Sequence, residues 1–518
     1  MSWCGAVKKR EFLFWLVAIL AVFVRLVHLL ESGDDPSAFQ PLVDSRTYHE
    51  LAVGLAENGV LDEHFLWQAP LYPLLLAILY RLFGVSLLAV KLFQILLAGA
   101  TCFLTMRLGR RIFDDTTALV AGILVAFCGP LLFFDQQLLA TSLAVFWMIT
   151  LANIVVSIQQ PNQSARQGLP LFLGVVGALA FLTRPTFLPV VLLLVLWPYR
   201  KRICLKRMGL GLAGLLLVLV PFGMKMQSMT GHPGLFPPSG AINLFIGNNA
   251  NFDETIGIRT GLPWENLISQ PMQNGFQPGP WNGQPYFRAK VRQFVLHHPG
   301  DFLKLLVRKT THLFSSRELP RNLDIYGHRQ WSTVLSLLVF KVGPWGFPMA
   351  LLWPLAAVGL MASGVRKNWL LFWMAAAYSL SLILVFTASR YRLPLLPLLC
   401  VFSAQGLVWL WGIFRQKNWP QLVPALAVFV VVSLLVTLPG PFAQEKSNLL
   451  SEMHYGVGWN YYQKEAWPEA EKELRLATLA DPTFVEAHHF LGLTLVHQER
   501  WDEAFGYFQT AVRLKPDY

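Results

Sequence analysis

The sequence predicts an all-α, polytopic membrane protein that ends in a small α-solenoid. Three observations carry this reading. Apolar runs of membrane length recur between residues 12 and 438, basic residues collect between those runs, and a 34-residue repeat occupies the C-terminal segment. Of the 518 residues, 54% are hydrophobic and only 14% charged, a balance foreign to soluble domains.

The first apolar run, Phe12 to Leu30, follows Lys8-Lys9-Arg10 and lacks a small-residue cleavage site. It reads as a retained helix rather than a removed signal peptide. A membrane helix needs about 20 apolar residues. Candidates fall near 12–30, 87–106, 116–133, 138–157, 169–183, 186–198, 208–224, 344–363, 369–387, 393–413 and 421–438, which gives about eleven spans. The runs 169–183 and 186–198 are short and are split by Arg184-Pro185.

Orientation follows from the Lys/Arg bias. With the N-terminus in the cytoplasm, Arg107 to Arg111, Arg200-Lys201-Arg202, Arg366-Lys367 and Arg415 with Lys417 all fall inside. This holds only if the run Pro70 to Phe83, which carries Arg81, does not cross. The expected location is a membrane, with the C-terminal domain outside the cytoplasm. The formal charge of +12 belongs to these orientation signals, and no nucleic-acid partner is expected. The five cysteines form no CxxC pair, so neither a disulfide framework nor a zinc ribbon is expected.

Three polar regions then share the outer face. The loop 31–69 holds Asp44. The loop 225–343 is rich in Gly, Pro, Asn and Trp, and it carries an amphipathic pair near Tyr286 to His298 and Pro299 to Phe314. The apolar faces of that pair, Phe294, Val295, Phe302 and Leu306, are expected to lie along the bilayer surface. Residues 447–518 hold the repeat: Gly458 matches Gly492, Trp467 matches Trp501, Ala470 matches Ala504, Ala477 matches Ala511 and Pro482 matches Pro516. Small residues at helix crossings and a closing proline at this period resemble the tetratricopeptide repeat. Its partner is expected to be a protein. As the motifs below end before residue 440, the chemistry they carry is expected not to need 447–518.

Four outer-face features carry chemical groups: Asp44 with Arg46 and Tyr48, Asp135-Gln136-Gln137, Arg184-Pro185, and Ser389 to Pro394 with Arg390, Tyr391 and Arg392. The ordinary readings are a hydrated loop acid and arginines snorkelling to lipid phosphate. Their gathering at one surface favours chemistry. A carboxylate takes a proton from an attacking hydroxyl, and guanidinium holds a phosphate as it leaves.

In order and placement these stretches resemble the GT-C membrane glycosyltransferases, in the bacterial branch related to protein O-mannosyltransferases and the lipid A aminoarabinose transferase. The matching stretches are Asp44 to Tyr48, Ala69-Pro70-Leu71-Tyr72-Pro73, Leu182-Thr183-Arg184-Pro185, Asn243 to Asn249, and Arg390-Tyr391-Arg392-Leu393-Pro394. The resemblance covers roughly 10–440, the expected transferase domain. It implies a polyprenyl-phosphate sugar as donor, the lipid bilayer as its medium, and inverting transfer to a hydroxyl of a glycolipid, glycan or protein. Asp44 is then the base and Asp135 the second acid. Arg46, Arg184, Arg390 and Arg392 are the phosphate-binding candidates, and Tyr48, Tyr72, Asn248, Asn249 and Tyr391 the substrate-binding ones. A common family form has Asp-Glu at the first acidic site, whereas here Ser45 follows Asp44. No metal site is assigned. Some relatives hold a divalent ion, for which Glu63 and His64 are the candidate ligands.

Two rival classes remain at this stage. An O-antigen ligase or polymerase would use a diphosphate-linked glycan and does not depend on an early Asp. A transporter or scaffold would bury its polar groups mid-membrane, often with internally duplicated halves, and neither sign is present.

Overall fold

The computed structural model describes residues 2–59, 66–159, 168–196, 205–232, 234–259, 261–279, 281–438, 440, 442–446 and 448–516. The membrane part opens with α1 (Ser2–Glu31), α2 (Asp44–Asn58), α3 (Leu71–Phe83), α4 (Leu87–Ile112), α5 (Asp115–Ala126), α6 (Gly129–Phe134), α7 (Thr141–Gln159), α8 (Leu169–Thr183), α9 (Leu188–Leu196) and α10 (Leu205–Thr230). A more polar segment follows with α11 (Ser239–Gly247), α12 (Phe252–Ile256), α13 (Leu262–Gln273), α14 (Gln284–His297), α15 (Pro299–Phe314), α16 (Ile325–His328) and α17 (Thr333–Leu338). It closes on an antiparallel hairpin, β1 (Phe340–Val342) with β2 (Trp345–Phe347), in which Phe340 faces Phe347. Then come α18 (Met349–Ser363), α19 (Val365–Leu384), α20 (Ser389–Arg392), α21 (Leu396–Arg415) and α22 (Trp419–Thr437). Last is a four-helix unit, α23 (Leu449–Gln463), α24 (Trp467–Ala480), α25 (Val485–His497) and α26 (Trp501–Leu514).

The protein is an all-α polytopic membrane protein. Among the described residues six helices are long and apolar enough to cross a bilayer: α1, α4, α7, α10, the stretch Ser389–Arg415, and α22. Shorter apolar helices occupy the other expected spans. The expected run 116–133 is broken. Asp114 caps α5 by accepting from the Thr117 amide, and the chain turns at Phe127 before Gly129-Pro130 starts α6. The non-crossing candidate forms α3, whose 13 residues reach about 20 Å, short of the roughly 30 Å hydrocarbon core. The cluster Arg200 to Arg202 lies outside the described residues, as do Glu63 and His64.

Packing sorts the helices into centre and rim. Most of α7 and of Ser389–Arg415 is buried, whereas α10 and α22 leave Leu216, Leu217, Val430 and Leu434 exposed, as lipid-facing helices do. α8 and α10 meet backbone to backbone: a Cβ on Gly174 would stand 2.0 Å from the Gly211 carbonyl, and one on Gly214 2.1 Å from that of Leu171. Small residues allow this approach where apolar burial cannot drive association.

The amphipathic pair forms α14 and α15 but does not rest Phe294 on a bilayer. Phe294 is buried and Phe302 half-buried against Ile242, Ile246 and Phe287. The large apolar side chains left exposed are Leu296, Leu303, Val307 and, at the end of α15, Phe314. In the C-terminal unit the 34-residue matches fall at helix crossings, with Gly458 against Leu474 and Gly492 against Phe508. Trp467 stacks on His497 at 4.2 Å. Its core is small, centred on Ala470, Leu474, Leu491, Leu495 and Ala504.

Candidate active site

The site begins with the local rule that a residue before proline leaves the α region. Arg184 precedes Pro185 and is extended at φ −152°, ending α8. Its guanidinium donates to the Thr141 hydroxyl at 2.7 Å and to the Arg390 carbonyl at 3.1 Å. It also lies 5.4 Å from the centre of the Tyr391 ring. Arg390 stands in the single turn of α20, and its Nη2 reaches Asp44 Oδ2 at 2.6 Å and the Tyr391 hydroxyl at 2.8 Å.

Asp44 is the first residue of α2. Its Oδ1 accepts from Gln68 Nε2 at 3.2 Å, and its Oδ2 accepts from Asn322 Nδ2 at 3.2 Å as well as from Arg390. Three separated stretches of chain thus converge on one carboxylate, and Asp44, Gln68 and Arg390 are joined by Arg184 at one space. Together they wall a cavity of about 210 Å³ whose polar lining includes Asp44, Tyr48, Arg184, Arg390 and Tyr391, with Phe236, Leu382 and Phe386 on its apolar side. Tyr48 packs edge-on to Tyr72 at 5.1 Å. Burial, with the Asp44 carboxylate adding to it, pushes the Tyr48 hydroxyl above the ordinary phenol range and keeps it neutral.

A further arginine belongs to this surround. Arg321 donates to the Ile256 carbonyl at 2.5 Å and covers the Phe386 ring at 5.3 Å. Burial lowers its pKa from the ordinary value, Arg390 lowers it further, and Tyr391 and Asp44 oppose the change. One carboxylate and two guanidiniums line the cavity, which leaves net positive charge and suits an anion.

The remaining expected residues lie elsewhere. Asp135 does not line the cavity. It is buried beside α1, where Arg25 Nε donates to it at 2.6 Å. Arg46 points away from the cavity, donating to Glu50 at 2.7 Å and to Gln463 of α23 at 2.8 Å. Arg392 is buried in an internal cluster, donating to Ser315 O at 2.6 Å, Arg317 O at 2.9 Å and Glu318 Oε1 at 2.8 Å. Tyr72 donates to Gln94 at 2.6 Å. Asn248 donates to the Leu384 carbonyl at 2.9 Å and accepts from Lys309 at 2.8 Å, while Asn249 closes its own loop onto Phe245 and Thr255. These six serve the architecture around the cavity rather than its lining.

Sequence reasoning passed over Gln68, Asn322, Arg321 and Arg25. Only Arg25 announced itself, as a charge inside an apolar run. Among the described residues no three His, Cys, Asp or Glu side chains come together as a metal cluster. Both Asp44 oxygens face N–H donors, one of them a guanidinium, so its surroundings do not suit a divalent cation.

A second, larger groove of about 620 Å³ also borders α2, lined by Thr47, Glu50, Trp67, Ile242, Trp264 and Phe287 among others. Neighbouring residues divide between the two spaces. Thr47, Trp67 and Ile242 line the groove, and Tyr48, Gln68 and Asn243 line the cavity.

Comparison with known proteins gives a match over part of the chain. Residues 67–224 match the family described as dolichyl-phosphate-mannose-protein mannosyltransferase. That segment carries Gln68 and Arg184 of the cavity. Among solved structures, the chain is similar to the oligosaccharyltransferase AglB of Archaeoglobus fulgidus in complex with an inhibitory peptide and a dolichol-phosphate. The identity is 14% and the TM-score 0.45, over 90% of this chain and 60% of that one. It is also similar to ArnT of Cupriavidus metallidurans bound to undecaprenyl phosphate, at 16% identity and a TM-score of 0.43, over 97% of this chain and 77% of that one. The chain thus spans about 60% of the length of the archaeal enzyme. No curated protein matches it.

Proposed function

We propose that the chain is an integral-membrane glycosyltransferase that moves a sugar from a polyprenyl-phosphate donor to a hydroxyl acceptor by a single inverting displacement. The observation that carries this is the Asp44–Arg390 contact at 2.6 Å, with Arg184 beside it, in one cavity. The acceptor oxygen attacks the anomeric carbon and its proton passes to Asp44. The bond from that carbon to the phosphate oxygen breaks, and the phosphate keeps the electron pair. Arg184 and Arg390 hold the phosphate, and their charge counts most as the leaving oxygen becomes negative. Before the donor enters, Arg390 is held by Asp44. Sharing that guanidinium with a phosphate frees the carboxylate to accept a proton.

The groove lined by Trp67 and Trp264 is the acceptor's approach. Its indole faces suit the apolar face of a sugar ring, and Glu50 and Gln284 supply hydrogen bonds. The site faces the outer side of a bacterial inner membrane, with the N-terminus cytoplasmic and the C-terminal unit, read as tetratricopeptide repeats, outside. The experiment is direct transfer. Purified membranes receive polyprenyl-phosphate sugars carrying radiolabel, and the label should move to a hydroxyl-bearing acceptor. Transfer from diphosphate-linked glycans alone would favour the ligase class instead.

A further inference from the structure

The turn that presents Asp44 carries backbone strain. Its helix starts at Val43, a β-branched residue at φ +48°, with no side chain capping the first turn. A non-glycine residue there is strained, and such strain persists only where surrounding contacts fix the backbone. Gln68, Asn322 and Arg390 hold the Asp44 side chain, and the contacts to the residues flanking it come from the far end of the chain. One face of α23 presents Gly456, Asn460 and Gln463, spaced at helical intervals of four and three residues.

Gly456 lets Leu42 lie against the helix, since a Cβ at that position would stand 3.0 Å from Leu42 Cδ2. The Asn460 amide straddles Asp44. Its Nδ2 donates to the Pro41 carbonyl at 3.3 Å, and its Oδ1 accepts from Arg46 Nη1 at 3.4 Å. Gln463 takes a second Arg46 donor at 2.8 Å. Asp44 is thus bracketed on both sides by residues bound to the same helix. A second anchor joins the unit to the segment before α13, where Arg259 meets Asp481 at 2.9 Å and Glu452 at 3.6 Å.

We infer that α23 of the C-terminal unit is a clamp on the Asp44 turn, with Asn460 as its positioning residue. The inference rests on the reading of Asp44 as the base. It reverses the modular expectation. The unit sets the geometry of the transfer step, so even a small acceptor that never touches the repeats depends on it. Arg46 finds its place here too, as the link between α2 and the clamp. Proton transfer and attack tolerate little displacement, and a 1 Å error costs up to about 10²-fold in rate.

The test uses the full chain, purified, with a small soluble acceptor, and measures kcat, KM, donor binding and melting temperature. Asn460→Ala should lower kcat by about 10- to 100-fold, with KM, donor binding and melting temperature unchanged. Asn460→Gln, which keeps both amide groups, should recover part of the loss. Gly456→Val, which pushes Leu42 off the helix, should reproduce the loss by a different route. Trp501→Ala, at the exposed end of the unit, should leave kcat unchanged. Normal kcat in Asn460→Ala and Gly456→Val, alongside an inactive Asp44→Asn, overturns the clamp and leaves the base assignment standing. An equal loss in Trp501→Ala also overturns the clamp, because the effect then belongs to the unit's folding. A normal rate in Asp44→Asn overturns both.

Discussion

Asp135 and Arg25 form a closed pair: Nε to Oδ2 is 2.6 Å, and the two side chains are 6% and 1% exposed. Arg25 is anchored further by the carbonyls of Ala21 and Ala126 at 3.0 and 3.2 Å. Removing one partner strands a buried charge, which costs about 3–5 kcal/mol, whereas replacing both with apolar residues is far milder. Arg25→Met and Asp135→Asn should each lower the unfolding midpoint sharply. Arg25→Met with Asp135→Leu should recover most of it, and the rate per folded molecule should hold. A rate collapse in a stable Asp135→Asn protein would return that residue to the chemistry.

Asp44→Asn keeps the size and most of the hydrogen bonds of the carboxylate but loses its basicity. General-base catalysis contributes about 10²–10⁴-fold, so transfer should fall by that order while protein level and donor binding persist. Rate and melting temperature measured on one preparation separate this from a loss of fold.

Arg184→Ala and Arg390→Ala should weaken binding of the polyprenyl-phosphate donor. Lysine should not restore it, because an ammonium lacks the planar fork that grips phosphate in two places. Arg392→Ala should behave differently. Its donors serve Ser315, Arg317 and Glu318, so stability should drop with donor affinity intact. Titration of labelled donor against each purified variant decides the matter.

Lys309 gives the pH dependence. It is fully enclosed, donates to Gly247 O, Asn248 Oδ1 and Val385 O, and burial lowers its pKa from 10.5 to about 7. The unfolded chain holds this proton to about 10.5 while the folded protein releases it near 7. Unfolding therefore takes up a proton in that window, and this residue's contribution to stability rises with pH from about 7 to 10.5. Below that window the buried charge costs its full penalty. Melting curves across pH should show the rise in the parent protein and its loss in Lys309→Met.

A reporter active only in the cytoplasm, fused after Gly440, should be silent. Strong activity would invert the orientation drawn from the Lys/Arg bias.

The helices were legible because membrane helices follow from apolar length alone, and Arg184 was legible because Pro185 dictates its backbone. Asp44 and Arg390 were legible as polar groups at the mouths of apolar runs. Their pairing, across almost the whole membrane part, was not. Asp135 misled for the same reason. Its position between two runs looks exposed, and only the fold shows that Arg25, 110 residues earlier, has claimed it. Asn460 carries no local signal at all. It sits at an ordinary position of a repeat, and its importance lies entirely in what the chain folds beside it.

The two separate spaces that border α2 have a consequence for traffic. If lipid-linked sugar enters one and the acceptor rests in the other, neither must leave for the other to be replaced. Spent lipid phosphate then competes with fresh donor but not with the acceptor, and inhibition patterns will show that asymmetry. A long acceptor can stay seated in the groove through several donor exchanges. Repeated modification of one molecule, rather than a single hit on each of many, becomes the natural product distribution.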